Sequence, residues 1–160
     1  MRLFIAVLLS DEMKAEIIAM MHVLKKAGVK GNYVPKQNLH LTLAFIGETK
    51  DAEAVRQALD TISFKPFRLT LSEKGNFGDL LWIGLKGNQG LSAVVKAVRE
   101  ALDNAGIKYD RKKFLPHITI VRKAAGSWQQ VPAPTGGMMV KKVSLMKSEV
   151  IDGKRVYTEI

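Results

Sequence analysis

An internal repeat constrains the fold of this chain more than any other feature of its sequence. Shifting the sequence by 78 positions aligns residues 4–7 with 82–85, and residues 27–30 (AGVK) with 105–108 (AGIK). Between these blocks, apolar positions on one helical face also coincide, pairing Ile17 with Val95, Met20 with Val98 and Leu24 with Leu102. Two copies with so long a period favour a pair of related lobes about a pseudo-two-fold axis, because a solenoid stacks shorter and more numerous repeats.

Each copy starts with a strand pattern that leads into a helix pattern. Residues 2–9 (RLFIAVLL) predict a strand, and Ser10 or Asp11 can cap the helix that follows it. Gly28 ends this helix, as Gly106 ends the corresponding helix of the second copy. The repeated unit therefore combines strand and helix.

The remaining segments complete the prediction. Asp51 opens another helix, whereas the matching segment 124–137 is rich in Gly, Pro, Ala and Gln and predicts a loop. Two pairs of strand runs predict hairpins, FRLTL with LLWIGL near Gly78, and VKKVSLMKSEV with KRVYTEI at Asp152-Gly153. Since the chain has 160 residues, of which 47% are hydrophobic, residues 1–160 are expected to form a single domain.

Each copy also carries a His-x-Thr-x strand, after a one-residue slip in the alignment. His40-Leu41-Thr42-Leu43 falls on His117-Ile118-Thr119-Ile120. Because strand side chains alternate between two faces, each strand buries its apolar residues and turns an imidazole and a hydroxyl to the opposite face. A pseudo-two-fold axis then brings both pairs to one cleft.

Such a cleft suits phosphoryl chemistry. Opening a cyclic phosphodiester requires a base for the attacking water and an acid for the departing alkoxide, and imidazole, with an ordinary pKa near 6.5, can fill either role. The hydroxyls of Thr42 and Thr119 can donate hydrogen bonds to non-bridging oxygens, and Arg122 can supply a fixed positive charge. His40 and His117 are the candidate catalytic pair, and neither a metal nor another cofactor is required.

Two simpler interpretations of the motifs were weighed against this one. A single His-x-Thr is usually a polar pair on a solvated face, but two copies at matching points of a repeat, in a chain with 3 histidines, argue against coincidence. The remaining histidine, His22, lies off the apolar face of its helix and is interpreted as a surface residue. A zinc site is the other alternative, and it lacks the third protein ligand that catalytic zinc usually has.

Composition excludes several kinds of chemistry and indicates the charge of the binding partner. The chain has no cysteine, which excludes disulfides, a thiol nucleophile and cysteine-ligated metals. A formal net charge of +10, with basic residues on both sides of His117, favours a polyanion such as nucleic acid, although a lysine-rich solubilising surface would give the same total. No membrane-spanning run or export signal is recognisable, so a cytoplasmic location is expected. The sequence gives no sign of an obligate protein partner.

HLTLAFIG and PHITIVR, in a basic chain of this length that opens with MRLFIAV, resemble the 2H phosphoesterase superfamily. Within it, the resemblance is to the RNA 2′,3′-cyclic phosphodiesterases, also called 2′-5′ RNA ligases or LigT-like proteins, and it spans essentially the whole chain. It implies a bilobal α+β fold in which two antiparallel sheets with flanking helices surround a central cleft. It also implies a hydrolase that opens a 2′,3′-cyclic phosphate on RNA or a nucleotide to a 2′-phosphate, with reversible 2′-5′ ligation in some members.

The resemblance further implies a division of roles. His40 is expected to be the general acid towards the leaving 3′ oxygen and His117 the base for water, and these roles exchange in the reverse reaction. Thr42 and Thr119 would hold the phosphate. Arg122 would support the phosphate or stack on the base.

Phe45 is the remaining candidate of this expected site. The resemblance implies that the ring of Phe45 contacts the nucleobase. Strand alternation, however, turns this ring to the same side as Leu41 and Leu43 unless the strand bends near Gly47. The sequence therefore leaves two orientations open for this ring.

Rival functions are also compatible with the sequence. The chain can be a noncatalytic protein that binds RNA or nucleotides in the same cleft, since a fold does not dictate a function. It can also act on a related substrate, such as a cyclic phosphate on ADP-ribose or a 2′-5′ linked oligonucleotide. Two complete motifs favour catalysis over binding alone.

Overall fold

The computed structural model describes residues 1–160 and contains two antiparallel sheets and three α-helices, which confirms the predicted α+β class. The strands are β1 Arg2–Leu8, β2 Lys30–Tyr33, β3 His40–Glu48, β4 Phe67–Phe77, β5 Leu80–Leu85, β6 His117–Ala125, β7 Gly137–Val140, β8 Ser144–Ile151 and β9 Lys154–Glu159. The helices are α1 Asp11–Lys26, α2 Ala52–Asp60 and α3 Gln89–Asn104, and a short 3-10 helix spans Lys36–Asn38. None of these helices has the length and apolarity needed to cross a membrane.

The sheet topology follows the repeat. The first sheet has the strand order β3-β1-β8-β9, and the second has the order β2-β6-β5-β4-β7. The unit β1–α1–β3 of the first sheet therefore corresponds to β5–α3–β6 of the second. In each sheet the strand that starts the unit lies between its His-x-Thr strand and a further strand, β8 beside β1 and β4 beside β5.

The helix ends are specified by local side chains. Ser10 caps α1 by accepting a hydrogen bond from the amide three residues later at 3.2 Å, and Asp51 caps α2 in the same way at 3.0 Å. Asn88 caps α3 by accepting a hydrogen bond from the amide of Leu91 at 2.6 Å. Beyond the other end of α1, Gly28 adopts a φ of +86°, a conformation that a residue with a side chain rarely takes.

The core lies between the helices and one face of each sheet. Alternate residues of β1, namely Leu3, Ile5 and Val7, are buried in a cluster of 33 hydrophobic residues that also contains the apolar faces of all three helices. Phe4 and Ala6 point the other way and pack with Met146 of β8 in a smaller cluster. The first sheet therefore has an apolar second face, which forms one wall of a cleft.

Two features of the fold differ from the sequence prediction. The run at 140–150, which reads as one strand, is divided between β7 and β8, because β7 pairs with β4 in the second sheet and β8 pairs with β1 in the first. Residues 141–143 connect the two sheets. The predicted loop at 124–137 is correspondingly shorter, since β6 and β7 take residues from its two ends.

Strand β2 was not predicted, because its sequence KGNY has little strand propensity. Its pairing with β6 provides the hydrogen bonds that hold it. Gly31 permits this pairing, since its φ is +153° and a Cβ atom there would lie 2.8 Å from Val121 and 2.9 Å from the carbonyl oxygen of Arg122. A strand from the first half of the chain therefore completes the second sheet.

Two substitutions in α1 test this assignment of the core. Ile17 is fully buried, and its replacement by alanine is expected to lower the free energy of unfolding by about 2–5 kcal/mol, because the lost methylenes leave a cavity. Val23 is 45% exposed on the same helix, and Val23→Ala should change that free energy by no more than about 0.5 kcal/mol. Urea denaturation of both variants measures the difference, and equal losses would contradict the assigned helix face.

Candidate active site

A β-bulge in β3 decides which side chains of the first motif face the cleft. Ile5 of β1 is opposite Ala44 whereas the next residue of β1 is opposite Thr42, so Leu43 is the extra residue of the bulge. Leu43 and Ala44 are consecutive and both buried, which interrupts the alternation of the strand. Phe45 is consequently 52% exposed and lines the cleft. The strand changes its alternation at Leu43, earlier than the bend near Gly47 that the sequence allowed.

The same irregularity occurs at the equivalent position of β6. Leu81 of β5 is opposite Val121 and the following residue is opposite Thr119, so Ile120 is the extra residue. Ile120 and Val121 are both fully buried, and Arg122 is turned out of the core. Arg122 occupies the position of the second copy that Phe45 occupies in the first. The two bulges therefore add a guanidinium and an aromatic ring to the cleft.

His40 is held by hydrogen bonds at both ring nitrogens. Its Nδ1 lies 2.7 Å from the carbonyl oxygen of Asn38, and because a carbonyl only accepts, Nδ1 must carry a proton. Its Nε2 lies 2.8 Å from the hydroxyl of Thr42. The rings of Phe4 and Tyr157 have centroids 5.0 Å and 5.2 Å from the imidazole, and the second of these contacts is edge-to-face. These contacts fix both the tautomer and the orientation of the imidazole.

His117 has the corresponding arrangement in the other sheet. Its Nδ1 donates to the carbonyl oxygen of Leu115 at 2.7 Å, and its Nε2 has no hydrogen-bond partner within the protein. Phe77 packs edge-to-face against the imidazole at 5.2 Å, and Trp82 lies at 6.4 Å. Gly75 makes room for that indole, since a Cβ atom there would lie 2.4 Å from it. In both copies Nδ1 is bound to a main-chain carbonyl. Nε2 of His117 is unpaired, whereas Nε2 of His40 contacts the hydroxyl of Thr42.

The two imidazoles differ in their surroundings. The pKa of His40 lies below its usual value, chiefly because burial disfavours the charged ring, although the hydrogen bond to the carbonyl of Asn38 raises it. The positive charges of Arg122 and of protonated His117 lower the pKa of His40 further. His40 therefore senses the charge on the opposite wall of the cleft, and it is neutral over more of the pH range than an exposed histidine.

One cavity of about 790 Å³ contains every residue that the sequence marked as a candidate for the site. It is lined by the two histidines, both motif threonines, Phe45 and Arg122. His22, interpreted as a surface residue, is exposed on α1 and does not line this cavity. No group of three or more His, Asp, Glu or Cys side chains is close enough to hold a metal ion.

Several residues of the site escaped the sequence analysis. The repeat alignment itself pairs Phe4 with Trp82, so matched aromatic rings beside the two histidines could have been inferred from it. Tyr157 and Phe77 carried no such signal, because they lie on strands outside the repeated blocks. Asn38 gave no sequence signal either, because it holds the histidine through its main-chain carbonyl, which any residue has. The equivalent position in the second copy is Leu115.

Asn38 is one of two buried polar side chains in the protein. Its amide nitrogen donates to the carbonyl oxygen of Arg155 in β9 at 3.0 Å, and its main-chain carbonyl accepts from His40. The 3-10 helix that precedes β3 is thereby tied to the last strand of the first sheet. The position of the carbonyl that orients His40 depends on this contact.

Comparisons with known proteins agree with this geometry. A family described as the 2′-5′ RNA ligase superfamily matches residues 11–150. The RNA 2′,3′-cyclic phosphodiesterase of Methanocaldococcus jannaschii is 35% identical over 128 residues, which cover 76% of this chain and 71% of that protein. The Escherichia coli protein of the same name is 30% identical over 170 residues, 99% of this chain and 93% of that protein.

Solved structures are similar over the full length. The crystal structure of Escherichia coli LigT in its apo form matches with a TM-score of 0.84 at 30% identity, covering 99% of this chain and 94% of that chain. A structure from Thermus thermophilus, TT0787, matches with a TM-score of 0.81 at 28% identity and covers 100% of this chain and 95% of that chain. The chain belongs to the 2′-5′ RNA ligase superfamily of two-histidine phosphoesterases.

Proposed function

We propose that this protein is an RNA 2′,3′-cyclic phosphodiesterase that uses His40 and His117 as its acid–base pair. The observation that carries the proposal is the pairing of two imidazoles in one cavity, each with Nδ1 fixed on a main-chain carbonyl, so that Nε2 is the nitrogen that can exchange a proton with a ligand. A reaction that takes one proton from water and gives one to an alkoxide needs two such groups on opposite sides of one phosphorus.

In the proposed reaction, His117 accepts a proton from water as the water oxygen attacks phosphorus. The bond between phosphorus and the 3′ oxygen breaks, and His40 donates a proton to that oxygen, which leaves a 2′-phosphate and a free 3′-hydroxyl. The two imidazoles end with exchanged protonation states and are restored through solvent. If the 5′-hydroxyl of a second strand replaces water, the same steps form a 2′-5′ linkage.

The proposed roles of the other residues follow from charge and hydrogen-bond donors. The hydroxyls of Thr42 and Thr119 would donate to the non-bridging oxygens, and Arg122 would balance the negative charge that develops on them. The exposed ring of Phe45 gives a nucleobase a surface on which to stack. These donors act in a partly enclosed cavity, where electrostatic interactions are stronger than in water.

Relatives support the substrate class. The M. jannaschii and E. coli relatives are named RNA 2′,3′-cyclic phosphodiesterases, and E. coli LigT has been crystallised in complexes with phosphate and with 3′-AMP. We propose that this chain likewise binds an RNA or nucleotide that carries a 2′,3′-cyclic phosphate. Residues 1–160 would act as one domain of two lobes, since both sheets contribute to the 33-residue core. We also propose a cytoplasmic location.

Alanine substitution of either histidine should reduce hydrolysis of a nucleoside 2′,3′-cyclic phosphate by about 10²–10⁴-fold in kcat, because each removes a proton-transfer group. His22→Ala is the matched control, since it removes an exposed imidazole far from the cavity, and it should retain full activity. Product analysis by phosphorus NMR identifies the 2′-phosphate. Binding of the nucleotide without any phosphomonoester product would favour a noncatalytic binding protein and refute the proposal.

The lowered pKa of His40 predicts a specific titration. In the free protein, the NMR signal of His40 should titrate below the usual value near 6.5, and Arg122→Gln should move its pKa upwards because a positive charge is removed. Inorganic phosphate should also raise the pKa, since an anion favours the imidazolium. A His40 pKa that does not respond to either change would contradict this electrostatic coupling.

His40 also gives the free energy of unfolding a predictable pH dependence. Because the unfolded chain binds a proton at His40 more readily than the folded protein, this histidine stabilises the fold above the unfolded pKa near 6.5. As pH falls from about 6.5 towards the lowered pKa, that contribution should be lost. Comparing the free energy of unfolding of wild type and His40→Gln across this window isolates the effect, and parallel curves would contradict it.

A further inference from the structure

The cavity extends beyond the groups that act on the reacting phosphate. Its 19 lining residues include Arg2, Arg122 and Arg155, and they include no aspartate or glutamate. None of these three arginines forms an ion pair with a carboxylate. Arg122 belongs to the proposed reaction, whereas Arg2 and Arg155 lie on β1 and β9, which carry neither motif. Their positive charge is not explained by the chemistry at phosphorus.

The strand register brings these two arginines to one patch on the first sheet. Arg2 of β1 is opposite Ser148 of β8, and Ser148 is opposite Tyr157 of β9. Arg155 lies two residues before Tyr157 and therefore shares its face of the sheet. All four residues line the cavity. We call Arg2, Ser148 and Arg155 the arginine patch.

The donors of the patch suit an anion. Arg155 Nη1 donates to the hydroxyl oxygen of Ser148 at 3.1 Å, which leaves the hydroxyl proton of Ser148 free to donate elsewhere. Both guanidinium groups keep further unpaired N–H donors. The nearest carboxylate in the register, Glu48 opposite Arg2, is 3.4 Å from the amino group of Met1 and does not neutralise the patch.

The patch lies next to the catalytic imidazole of the same sheet. Tyr157, which is opposite Ser148 in the register, packs at 5.2 Å from the ring of His40. The carbonyl oxygen of Arg155 accepts the hydrogen bond from Asn38, so the backbone of β9 is fixed relative to the carbonyl that holds His40. An anion on the patch would therefore lie in the same cavity as the reacting phosphate.

We propose that the arginine patch binds the phosphate attached to the 5′ oxygen of the terminal nucleotide, so that the protein selects a nucleotide that continues into an RNA strand. This inference rests on the proposed function. A nucleoside 2′,3′-cyclic phosphate fills the catalytic end of the cavity alone, whereas an RNA end brings a second negative charge to Arg2 and Arg155. The two guanidinium groups and the free hydroxyl proton can donate hydrogen bonds to the oxygens of a phosphodiester, which guanidinium groups bind well.

The test compares two substrates that differ only at the 5′ position, adenosine 2′,3′-cyclic phosphate with a 5′-hydroxyl and the same nucleotide with a 5′-phosphate. In the wild type, the 5′-phosphate should raise kcat/KM by about 10-fold or more, as expected for charge-assisted hydrogen bonds to one phosphate. The dinucleotide ApA with a terminal 2′,3′-cyclic phosphate should show a similar gain. The gain should fall as salt concentration rises.

Arg155→Gln and Arg2→Gln should each reduce the ratio of the two kcat/KM values towards one. Lys154→Gln is the matched control, because it removes the same charge from the neighbouring residue of β9, which is exposed and does not line the cavity. Its ratio should equal that of the wild type. Thermal unfolding of each variant verifies that the first sheet remains intact.

The outcomes separate the two proposals. Turnover of both substrates at equal kcat/KM in the wild type would overturn the arginine patch and leave the phosphodiesterase proposal standing. An equal fall in the ratio for Lys154→Gln and Arg155→Gln would also overturn the patch, since it would assign the preference to total charge. Failure to hydrolyse either substrate would overturn the proposed function itself.

Discussion

A β-bulge directly after the threonine of each motif strand determines what the cleft contains. In an uninterrupted strand, the residues three and five places after the histidine would point into the core, and Arg122 would have to be buried as an unpaired charge. The bulges at Leu43 and Ile120 bury two consecutive apolar residues instead and return the strand to the cleft side at the next position. The histidine and the threonine before the bulge and the residue after it then share one face. A deviation from regular pleating therefore lets one strand contribute to both the core and the site.

The pseudo-symmetry of the cleft gives the two histidines the same hydrogen bond but different electrostatic environments. Both Nδ1 atoms donate to the carbonyl two residues upstream, so both imidazoles present Nε2. Burial together with Arg122 lowers the pKa of His40, and an imidazolium with a lowered pKa is the stronger proton donor to an alkoxide. The anionic substrate restores the proton that such an acid needs, because negative charge near the ring favours its protonated form. Both effects favour the proposed role of His40 as the acid, a role that a symmetric repeat alone does not assign.

The sequence predicts those parts of the structure that depend on local patterns. The first strand, all three helices and both hairpins follow from periodicity, caps and turn residues, and the repeat brings His40 and His117 to a common cleft. Features that depend on pairing between distant segments were not predictable. Strand β2 has little strand propensity of its own, and the run at 140–150 gives no sign of passing from one sheet to the other. The bulge that turns Phe45 outwards is visible only in the register with β1. Tyr157 joins the site for the same reason, since only sheet order brings β9 near His40.

The sheet order also mixes strands from different parts of the chain. The second sheet takes β2 from the first half of the chain, and the first sheet is completed by β8 and β9, which follow both copies. His40 consequently depends on Tyr157 for one of its ring contacts and on Arg155 for the carbonyl that anchors Asn38. These contacts join residues more than 100 positions apart in the chain, so the first lobe of the cleft is complete only when its last hairpin has paired with β1. Exchange of strands between the lobes thus links the geometry of one histidine to the folding of the whole chain, and it provides a structural reason why a duplicated unit functions here as one site.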